Sequence, residues 1–172
     1  MNSLEPPIES PIEQKISWAR DIIQCRGQEL LGDEKLMKNL VMLKQAVAGS
    51  REESARLGIG DYCRSCEEQE GGSCCGAGIE RNFNAVLILL NLLLKAEIPE
   101  LRYDPSSCFF LSESGCRLLA RHVLCVNFLC RKITSAMNPR RLAALREKEG
   151  VELNLIFTLH ERLKKNLAGS PK

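Results

Sequence analysis

Apolar residues recur at helical spacing over much of the chain and predict a mainly α-helical protein. Between positions 12 and 31 they fall at 12, 16, 19, 22, 23 and 30, with Pro11 before this segment and Gly32 after it. A second helix is predicted from Asp33, whose side chain can cap it, to a stop at Gly49. Because only a short turn separates these two amphipathic segments, we expect an antiparallel hairpin.

The strongest helical pattern runs from Ile79 to Ala96 and is nearly all apolar in its second half. Its longest apolar run, Ala85 to Leu94, is broken by Asn91. A bilayer span requires about 20 residues, roughly twice the length of this run. We therefore expect a buried helix that holds two groups of cysteines together, and no association with a membrane.

The segments around this helix carry weaker signals. Ser50–Glu53 has the form of a capping box and predicts a short third helix. Residues 61–78 are rich in glycine without periodicity and predict a loop. Residues 108–119 predict a tight hairpin with its turn at 112–115, and part of 123–133 is expected to be helical.

The C-terminal region predicts two further helices. Asn138-Pro139 supplies an N-cap and then a proline at the first helical position, and this helix is expected to end at Gly150. The last helix carries an apolar stripe at every fourth position: Val151, Leu155, Leu159, Leu163 and Leu167. Residues 168–172 are expected to fray.

These elements divide the chain into three parts. Residues 1–60 form an N-terminal helical hairpin and short helix, and residues 61–133 form a cysteine-rich domain. Residues 134–172 form C-terminal helices packed on the same core. The expected fold is a small, mainly α domain around a cysteine-rich loop and hairpin that forms a metal centre.

Composition and charge exclude several classes of function. The 172 residues are 44% hydrophobic and 27% charged, with a net charge of +2, which offers no electrostatic footprint for nucleic acid or an anionic membrane. No glycine-rich nucleotide loop occurs. Residues 1–11 are acidic, with three prolines, and have neither the positive nor the apolar region of a secretory signal. We therefore expect a cytoplasmic protein, whose thiols stay reduced.

Cysteines are the main chemical signal. Eight of the nine fall between positions 63 and 130. An odd total and a reducing compartment favour metal ligation over disulfide bonds. Cys25 stands apart and is expected to be a buried apolar residue. The candidate metal ligands are Cys63, Cys66, Cys74, Cys75, Cys108, Cys116, Cys125 and Cys130.

Cys63 and Cys66 have the spacing of a metal knuckle, in which two thiolates converge on one ion. The same spacing occurs in redox pairs, but those normally lie at the start of a helix after a strand. Here the pair opens a glycine-rich stretch with no such strand pattern, so metal binding is favoured.

Two other pairs are constrained by backbone geometry. Neighbouring side chains diverge, so Cys74 and Cys75 either serve different sites, or one binds while the other packs. Cys125 and Cys130 would lie about 140° apart on a continuous helix. Both can reach one centre only if the helix begins or breaks between them. In chain order, the cysteines form one arm up to Cys75 and a second arm from Cys108 to Cys130.

Charged and imidazole groups close to the cysteines could assist them. Cations lower the pKa of thiols and offset the net −2 of four thiolates on Zn²⁺ or on an oxidised four-iron cluster. Ordinary surface charge is an equal alternative for each cation. His122 is a candidate substitute ligand, and His160 is expected to be partly solvated. The cations near cysteines are Arg64, Arg117, Arg121, Arg131 and Lys132.

The ordered series of motifs resembles the YkgJ-type cysteine-cluster family, a zinc- or iron-chelating domain. That family has a C-x-x-C, a Cys-Cys doublet, a helix, a further cysteine with nearby apolar residues, a glycine–cysteine element and a final R-P-x-x-C-R. In this chain His122 replaces the proline and Val126 the last arginine. The matching residues, within 61–133, are Cys63, Cys66, Cys74, Cys75, Cys108, Phe110, Leu111, Gly115, Cys116, Arg121 and Cys125.

The resemblance implies metal chelation but no particular reaction. We expect an iron–sulfur cluster of the 4Fe–4S type, or one to two zinc ions, in an electron-transfer or redox module. One alternative is a metal-dependent protein-modifying enzyme resembling lysine N-methylase-type cysteine-cluster proteins, with Arg121 or Asp104 as candidate residues. Another is a structural-zinc protein whose helical surfaces bind a second protein. The expected partners are thus a metal ion or cluster and another protein, without nucleic acid or membrane.

Overall fold

The computed structural model describes residues 4–69 and 74–169 and confirms a small, mainly α-helical fold. Two short antiparallel strands, β1 (Leu111–Ser112) and β2 (Gly115–Cys116), confirm the predicted hairpin, with Leu111 opposite Cys116. Within the same residues the helices are α1 (Ile12–Leu31), α2 (Glu34–Arg56), α3 (Ile59–Gln69), α4 (Ala85–Leu93), α5 (Val123–Asn127), α6 (Arg131–Ala136) and α7 (Pro139–Ala168).

The N-terminal hairpin begins as predicted. Helix α1 covers the expected residues, and Asp33 caps α2 by accepting hydrogen bonds from the backbone N–H groups of Lys35 at 3.0 Å and Leu36 at 3.1 Å. The predicted stop at Gly49 is wrong, since α2 continues to Arg56. Ser50 is buried and its hydroxyl donates to the Val47 carbonyl at 3.1 Å, so it does not begin a separate helix. A glycine inside a helix costs only about 1 kcal/mol, which packing offsets here.

Helix α7 also continues where a stop was predicted. Asn138 caps it through the N–H of Arg140 at 2.9 Å, as expected, but the helix passes through Gly150 without interruption. Its buried face is shifted from the predicted stripe, and Val151 is 57% exposed. Two glutamates lie on that buried face, so a search for apolar residues alone does not identify it. The buried residues of α7 are Leu145, Glu149, Glu152, Ile156, Leu159 and Leu163.

The central apolar helix is shorter than predicted. Residues Ile79–Asn82 form a 3₁₀ turn, and Asn84 then caps α4 by accepting the N–H of Leu87 at 2.9 Å. At the other end Lys95 has a positive φ of 61° and leaves the helical conformation. The predicted burial is confirmed, because the α4 residues are almost all inaccessible.

The predicted loop over 61–78 is wrong in its first half. Gly58, at a φ of 67°, turns the chain out of α2, and α3 then carries Cys63 and Cys66 on a helix. Residues 70–73 of that predicted loop lie outside the described residues, as do 170–172 of the segment expected to fray.

Two apolar cores organise the molecule. The main core contains α4 with the buried faces of α1, α2 and α7, and includes Cys108 and Phe110 from the hairpin region. The smaller core consists of Leu57, Ile59, Ile133 and Leu145. Among the helices described, none has the length and apolarity needed to span a bilayer.

Candidate metal centre

A cavity of about 310 Å³ collects five of the candidate cysteines on its walls. Arg121 is the charged side chain among the residues that line it, and the remaining walls are apolar. The cysteines are Cys74, Cys75, Cys108, Cys116 and Cys125. The apolar wall residues are Ile79, Phe83, Leu111, Leu124 and Phe128.

Backbone pairing brings two distant cysteines together at this cavity. The N–H of Cys108 donates to the carbonyl of Cys75 at 2.6 Å, and Gly76 forms an antiparallel bridge with Ser107. The N–H of Ala77 continues the pairing with a bond to the Ser106 carbonyl at 2.7 Å. The second and third cysteine motifs, the doublet and the Cys108 element, therefore meet through main-chain hydrogen bonds.

Asn91 fixes the segment that follows the hairpin. Its Nδ2 donates to the carbonyls of Leu87 and Ala120, both at 2.9 Å. Its Oδ1 accepts the N–H groups of Leu119 at 2.8 Å and Ala120 at 3.0 Å. The amide is buried and fully satisfied, so it locks residues 119–120 against α4. Sequence reasoning noted Asn91 only as an interruption. A single polar residue in an otherwise apolar, buried helix could have indicated this hydrogen-bonding role, because a buried amide requires partners.

Aromatic stacking completes this side of the cavity. The Phe83 ring lies 5.5 Å from those of Phe110 and His122, nearly parallel to each. His122 caps α5, because its Nδ1 accepts the N–H of Leu124 at 3.3 Å, and burial lowers its pKa. These contacts give His122 a structural role beside the cavity.

Two of the other candidate cysteines pack on the smaller core. Cys63 of α3 and Cys130, which precedes α6, both pack against that core, and α3 contacts α6. Burial raises the pKa of Cys63, and the neighbouring thiols of Cys74, Cys130 and Cys66 raise it further. Cys63 is therefore within electrostatic reach of three other thiols.

This grouping differs from the two arms inferred from chain order. Cys75 lies with the later cysteines, and Cys130 lies with Cys63. The reason is local: the chain leaves helical conformation between α5 and α6, so Cys125 and Cys130 do not share a helix. For Cys125 and Cys130 to reach one centre, the helix had to be interrupted between them. It is interrupted there, but the two residues lie in different groups.

Apart from Cys74, the thiols at the cavity are weak acids. Burial raises the pKa of Cys108 to about 12 and that of Cys125 to about 11. Burial also raises the pKa of Cys116, although Arg121 and Arg51 act in the opposite direction. Because metals bind thiolates, occupation of the cavity by a metal centre would release protons.

The doublet is internally linked. A hydrogen bond between the two side chains lowers the pKa of Cys74 and raises that of Cys75. Cys75 is half-buried against the main core, whereas Cys74 is exposed. The two neighbours therefore occupy different environments.

Buried charges lie behind Cys116. Nη2 of Arg121 is 3.6 Å from Oε1 of Glu152, which is fully buried, and Ser50 donates to the other oxygen of that carboxylate. Arg51 donates to the carbonyl of Leu118 close by. Arg51 and Arg121 thus both lie within electrostatic reach of Glu152, and Arg121 also acts on the buried carboxylate of Glu149. Sequence reasoning named Arg121 but missed Arg51 and Glu152, which lie on distant helices.

Two buried polar atoms in this network lack hydrogen-bond partners among the residues that the structure describes. They are Nε of Arg121 and Oε1 of Glu152. An unsatisfied buried donor is costly, so Nε of Arg121, on a residue that lines the cavity, suits an acceptor bound there. A thiolate or a sulfide is such an acceptor.

Other predicted residues lie elsewhere. Cys25 is exposed on α1, so its predicted burial was wrong, because its position falls outside the face that packs on α4. Asp104 accepts a hydrogen bond from the N–H of Ser106 at 2.8 Å within its own loop. Arg117 pairs with exposed Glu97 at 2.9 Å, and His160 is half-buried beside Asn84.

Across residues 4–69 and 74–169, no group of three or more His, Cys, Asp or Glu side chains is already arranged to hold a metal ion. Comparisons with protein-family models, curated proteins and solved structures gave no significant match. The resemblance to the YkgJ-type family therefore stays a prediction.

Proposed function

We propose that this protein holds an iron–sulfur cluster in the cavity and acts as a redox module. The ligands in this proposal are Cys75, Cys108, Cys116 and Cys125. The observation that carries it is the convergence of these thiols, from four separate motifs, on one mostly apolar cavity. Four cysteine thiolates are the usual ligand set of such clusters.

The size of the cavity favours a cluster over a single zinc ion. A zinc–thiolate bond is about 2.3 Å long, and a structural zinc site closes tightly around the ion. A cavity of about 310 Å³ would be mostly empty around one ion. A cluster contains several iron and sulfide atoms and fills more of such a space.

The charges around the cavity support the same ligand. Four thiolates give the centre a net negative charge, and Arg121 and Arg51 lie on the side of Cys116. The free Nε–H of Arg121 can donate to a sulfur atom, and such hydrogen bonds stabilise a cluster and raise its reduction potential. Glu152 holds Arg121 in place through its carboxylate.

The position of the cavity suits electron exchange with another protein. Leu124 and Phe128 line the cavity and are 48% and 56% exposed, so the cavity lies near the surface. A bound cluster supplies one-electron transfer, and the chain supplies thiolates, the Arg121 donor and apolar walls that limit water. A cytoplasmic location is part of the proposal, because the thiols must stay reduced until the cluster is bound.

Cysteine variants of the full chain test the ligand set. After anaerobic purification and reconstitution with iron and sulfide, the parent protein is expected to show thiolate-to-iron absorption and acid-labile sulfide. Cys116→Ser and Cys125→Ser should lose both signals. The matched control Cys25→Ser changes an exposed cysteine and should keep them.

Circular dichroism establishes that each variant is still helical before its iron content is compared. Full retention of the absorption by Cys116→Ser and Cys125→Ser would refute the proposed ligands. A parent chain whose cavity cysteines take up zinc and reject iron would refute the cluster.

A further inference from the structure

We propose that the rim of the cavity is a docking surface for a small acidic electron-carrier protein. The redox part of this proposal rests on the proposed function, whereas the surface itself consists of side chains that the folded chain already presents. This rim surface combines exposed apolar residues of α5 and its C-cap with cations that precede and follow them. Its residues are Arg121, Val123, Leu124, Phe128, Arg131 and Lys132.

Charge is distributed unevenly along the chain. Residues 114–146 contain seven of the 24 lysines and arginines and none of the 22 aspartates and glutamates. This segment therefore carries a charge of +7, and the rest of the chain carries −5. The net charge of +2, on which the sequence-based expectation rested, conceals this contrast. A local excess of one sign steers partners of the opposite sign toward it.

The fold places apolar side chains from this basic segment at the cavity. Leu124 and Phe128 both line the cavity and are four positions apart, so they lie on the same side of α5 and its C-cap. Val123 begins α5 and is 46% exposed. Three large apolar side chains that face solvent beside one cavity are suited to burial against another protein.

Cations flank this apolar group in the chain. Arg121 lines the cavity itself, and Arg131 is exposed in the first turn of α6. Arg131 follows Phe128 by three residues, which span at most about 11 Å, so the two residues belong to one small surface. The rim surface therefore has an apolar centre with positive charge beside it.

Helix α7 fixes the apolar group in place. Nη2 of Arg146 donates to the carbonyl of Asn127 at 2.7 Å, and Nη1 donates to that of Val126 at 3.3 Å. Arg146 also pairs with Glu149 at 2.7 Å, so its own charge is largely balanced. The end of α5, next to Phe128, is thus held by a side chain from another element.

Acidic residues set one limit of the rim surface. Helix α3 contacts α6 and carries Asp61, Glu67 and Glu68. The positive surface therefore ends where these two helices meet.

An acidic protein fits the rim surface better than an anionic membrane or a nucleic acid does. Arginine and aromatic residues are enriched where proteins bind each other, around an apolar centre. Helices that lie in a membrane surface generally have several turns, whereas α5 has five residues. Phosphate contacts dominate the affinity of nucleic-acid binding, and the aliphatic side chains of Val123 and Leu124 make none.

Electron carriers commonly form small, short-lived complexes, for which a surface of this size is sufficient. In the complex, one electron would pass between the cluster and the one-electron centre of the partner, so that one is oxidised as the other is reduced. The rim surface would bring the two centres close, because it includes residues that line the cavity.

Binding of a fluorescently labelled acidic ferredoxin to the full chain tests the rim surface. Anisotropy is measured on both the metal-free and the reconstituted chain, at about 20 mM and about 200 mM salt, between which the screening length falls roughly threefold. We expect binding at the lower salt and an affinity about tenfold or more weaker at the higher salt. Basic cytochrome c, a control of opposite charge, should not bind.

Charge reversal at two matched positions locates the contact. Arg131→Glu changes the rim surface, in a first helical turn that accepts an acidic residue. Arg20→Glu makes the same change in net charge at an exposed position of α1. We expect Arg131→Glu to bind the ferredoxin about threefold or more weakly than Arg20→Glu does, with helical content equal in both.

Equal affinities of these two variants would overturn the docking surface, as would failure of the parent chain to bind the ferredoxin at low salt. Preferential binding of phosphatidylserine vesicles or of single-stranded RNA, each added as a competitor, would overturn it in favour of that ligand. A chain that binds the ferredoxin through Arg131 but takes up no iron would refute the proposed function and leave the docking surface standing. A loaded chain that holds a cluster but binds no ferredoxin would do the reverse.

Discussion

Asn91 and Ala120 are hydrogen-bonded to each other in both directions. Nδ2 of Asn91 donates to the Ala120 carbonyl at 2.9 Å, and the Ala120 N–H donates to Oδ1 at 3.0 Å. This pairing anchors the chain to α4 directly before Arg121 and four residues after Cys116. A buried amide therefore determines where two residues of the proposed centre lie.

Replacement of Asn91 by leucine should disrupt this anchor while nearly preserving volume. The change leaves the N–H groups of Leu119 and Ala120 without their acceptor, and each buried unsatisfied group costs about 1–3 kcal/mol. We expect the free energy of unfolding, measured with urea on the metal-free chain, to fall by about 3 kcal/mol or more.

The matched control for this variant is Asn154→Leu, on the exposed face of α7. It should change stability by no more than about 0.5 kcal/mol. Equal stabilities of the two variants would show that the Asn91 pairing does not hold the segment.

Replacement of Arg121 by glutamine should weaken the cavity centre without unfolding the chain. The variant removes a cation beside Cys116 and the unpartnered Nε–H. We expect iron to be lost to a chelator about tenfold faster, in line with the usual effect of outer-shell partners, and the reduction potential to fall. Chelator kinetics followed by visible absorption measure the first effect, and protein voltammetry measures the second.

Arg117→Gln is the control for Arg121→Gln, because Arg117 pairs with exposed Glu97. It should leave both the rate of iron loss and the potential near those of the parent. If the two variants behave alike, the role assigned to the Arg121 guanidinium is wrong.

Asp33 should make stability depend on acidic pH. It caps α2 and accepts two hydrogen bonds from Arg162 of α7, at 2.8 and 2.6 Å, and one from Asn166 at 3.2 Å. These contacts hold the pKa of the Asp33 carboxyl well below its usual range. The hydrogen bonds from Arg162 are the largest cause, and those from the N–H of Leu36 and from Asn166 add to it. Its contribution is thus present above the unfolded-state pKa of about 3.9 and is lost as pH falls toward the lower folded-state pKa.

Asp33→Asn keeps the capping oxygen but removes the charge. Urea unfolding at pH 7 and near pH 3 should show the variant destabilised by about 1–3 kcal/mol at pH 7, with a smaller difference from the parent at the lower pH. A difference that stays constant between the two pH values would contradict the assignment. Glu29→Gln, which alters an exposed pair with Arg26, should have a much smaller effect at either pH.

Apolar periodicity predicted the helical segments well but not where they end. The signals at Pro11, Gly32, Asp33 and Asn138 were reliable, because caps act locally. Gly49 and Gly150 were read as stops, yet each lies in a continuous helix whose other residues pack on a core. A glycine penalty near 1 kcal/mol is small beside the burial of several leucines.

Buried polar residues were the main source of error within the elements. Lys15 lies on the apolar face of α1 and is inaccessible, with Nζ donating to the carbonyls of Ile8 at 2.6 Å and Arg81 at 3.1 Å. Glu152 is equally buried beside Arg121. A polar residue in a periodic apolar pattern is predicted to be exposed to solvent. Its burial becomes evident only from the hydrogen-bond and ion-pair partners that the fold brings to it.

The cysteine motifs were evident from the sequence, but their grouping was not. It depends on the Cys75–Cys108 backbone pairing and on the non-helical residues that separate α5 from α6. Both are long-range or irregular features that spacing alone does not encode. Sequence reasoning identified two geometric constraints in advance, one on the Cys74-Cys75 doublet and one on the spacing of Cys125 and Cys130.

The iron and acid-labile sulfide content of the full chain, purified anaerobically from cells supplied with iron, tests the central claim most directly. The account predicts a coloured protein in which iron and sulfide occur in equal amounts, as in a 4Fe–4S cluster, with the cavity cysteines protected from alkylation. A colourless, folded chain that binds neither iron nor sulfide under these conditions, and whose cavity cysteines remain reactive, would contradict it.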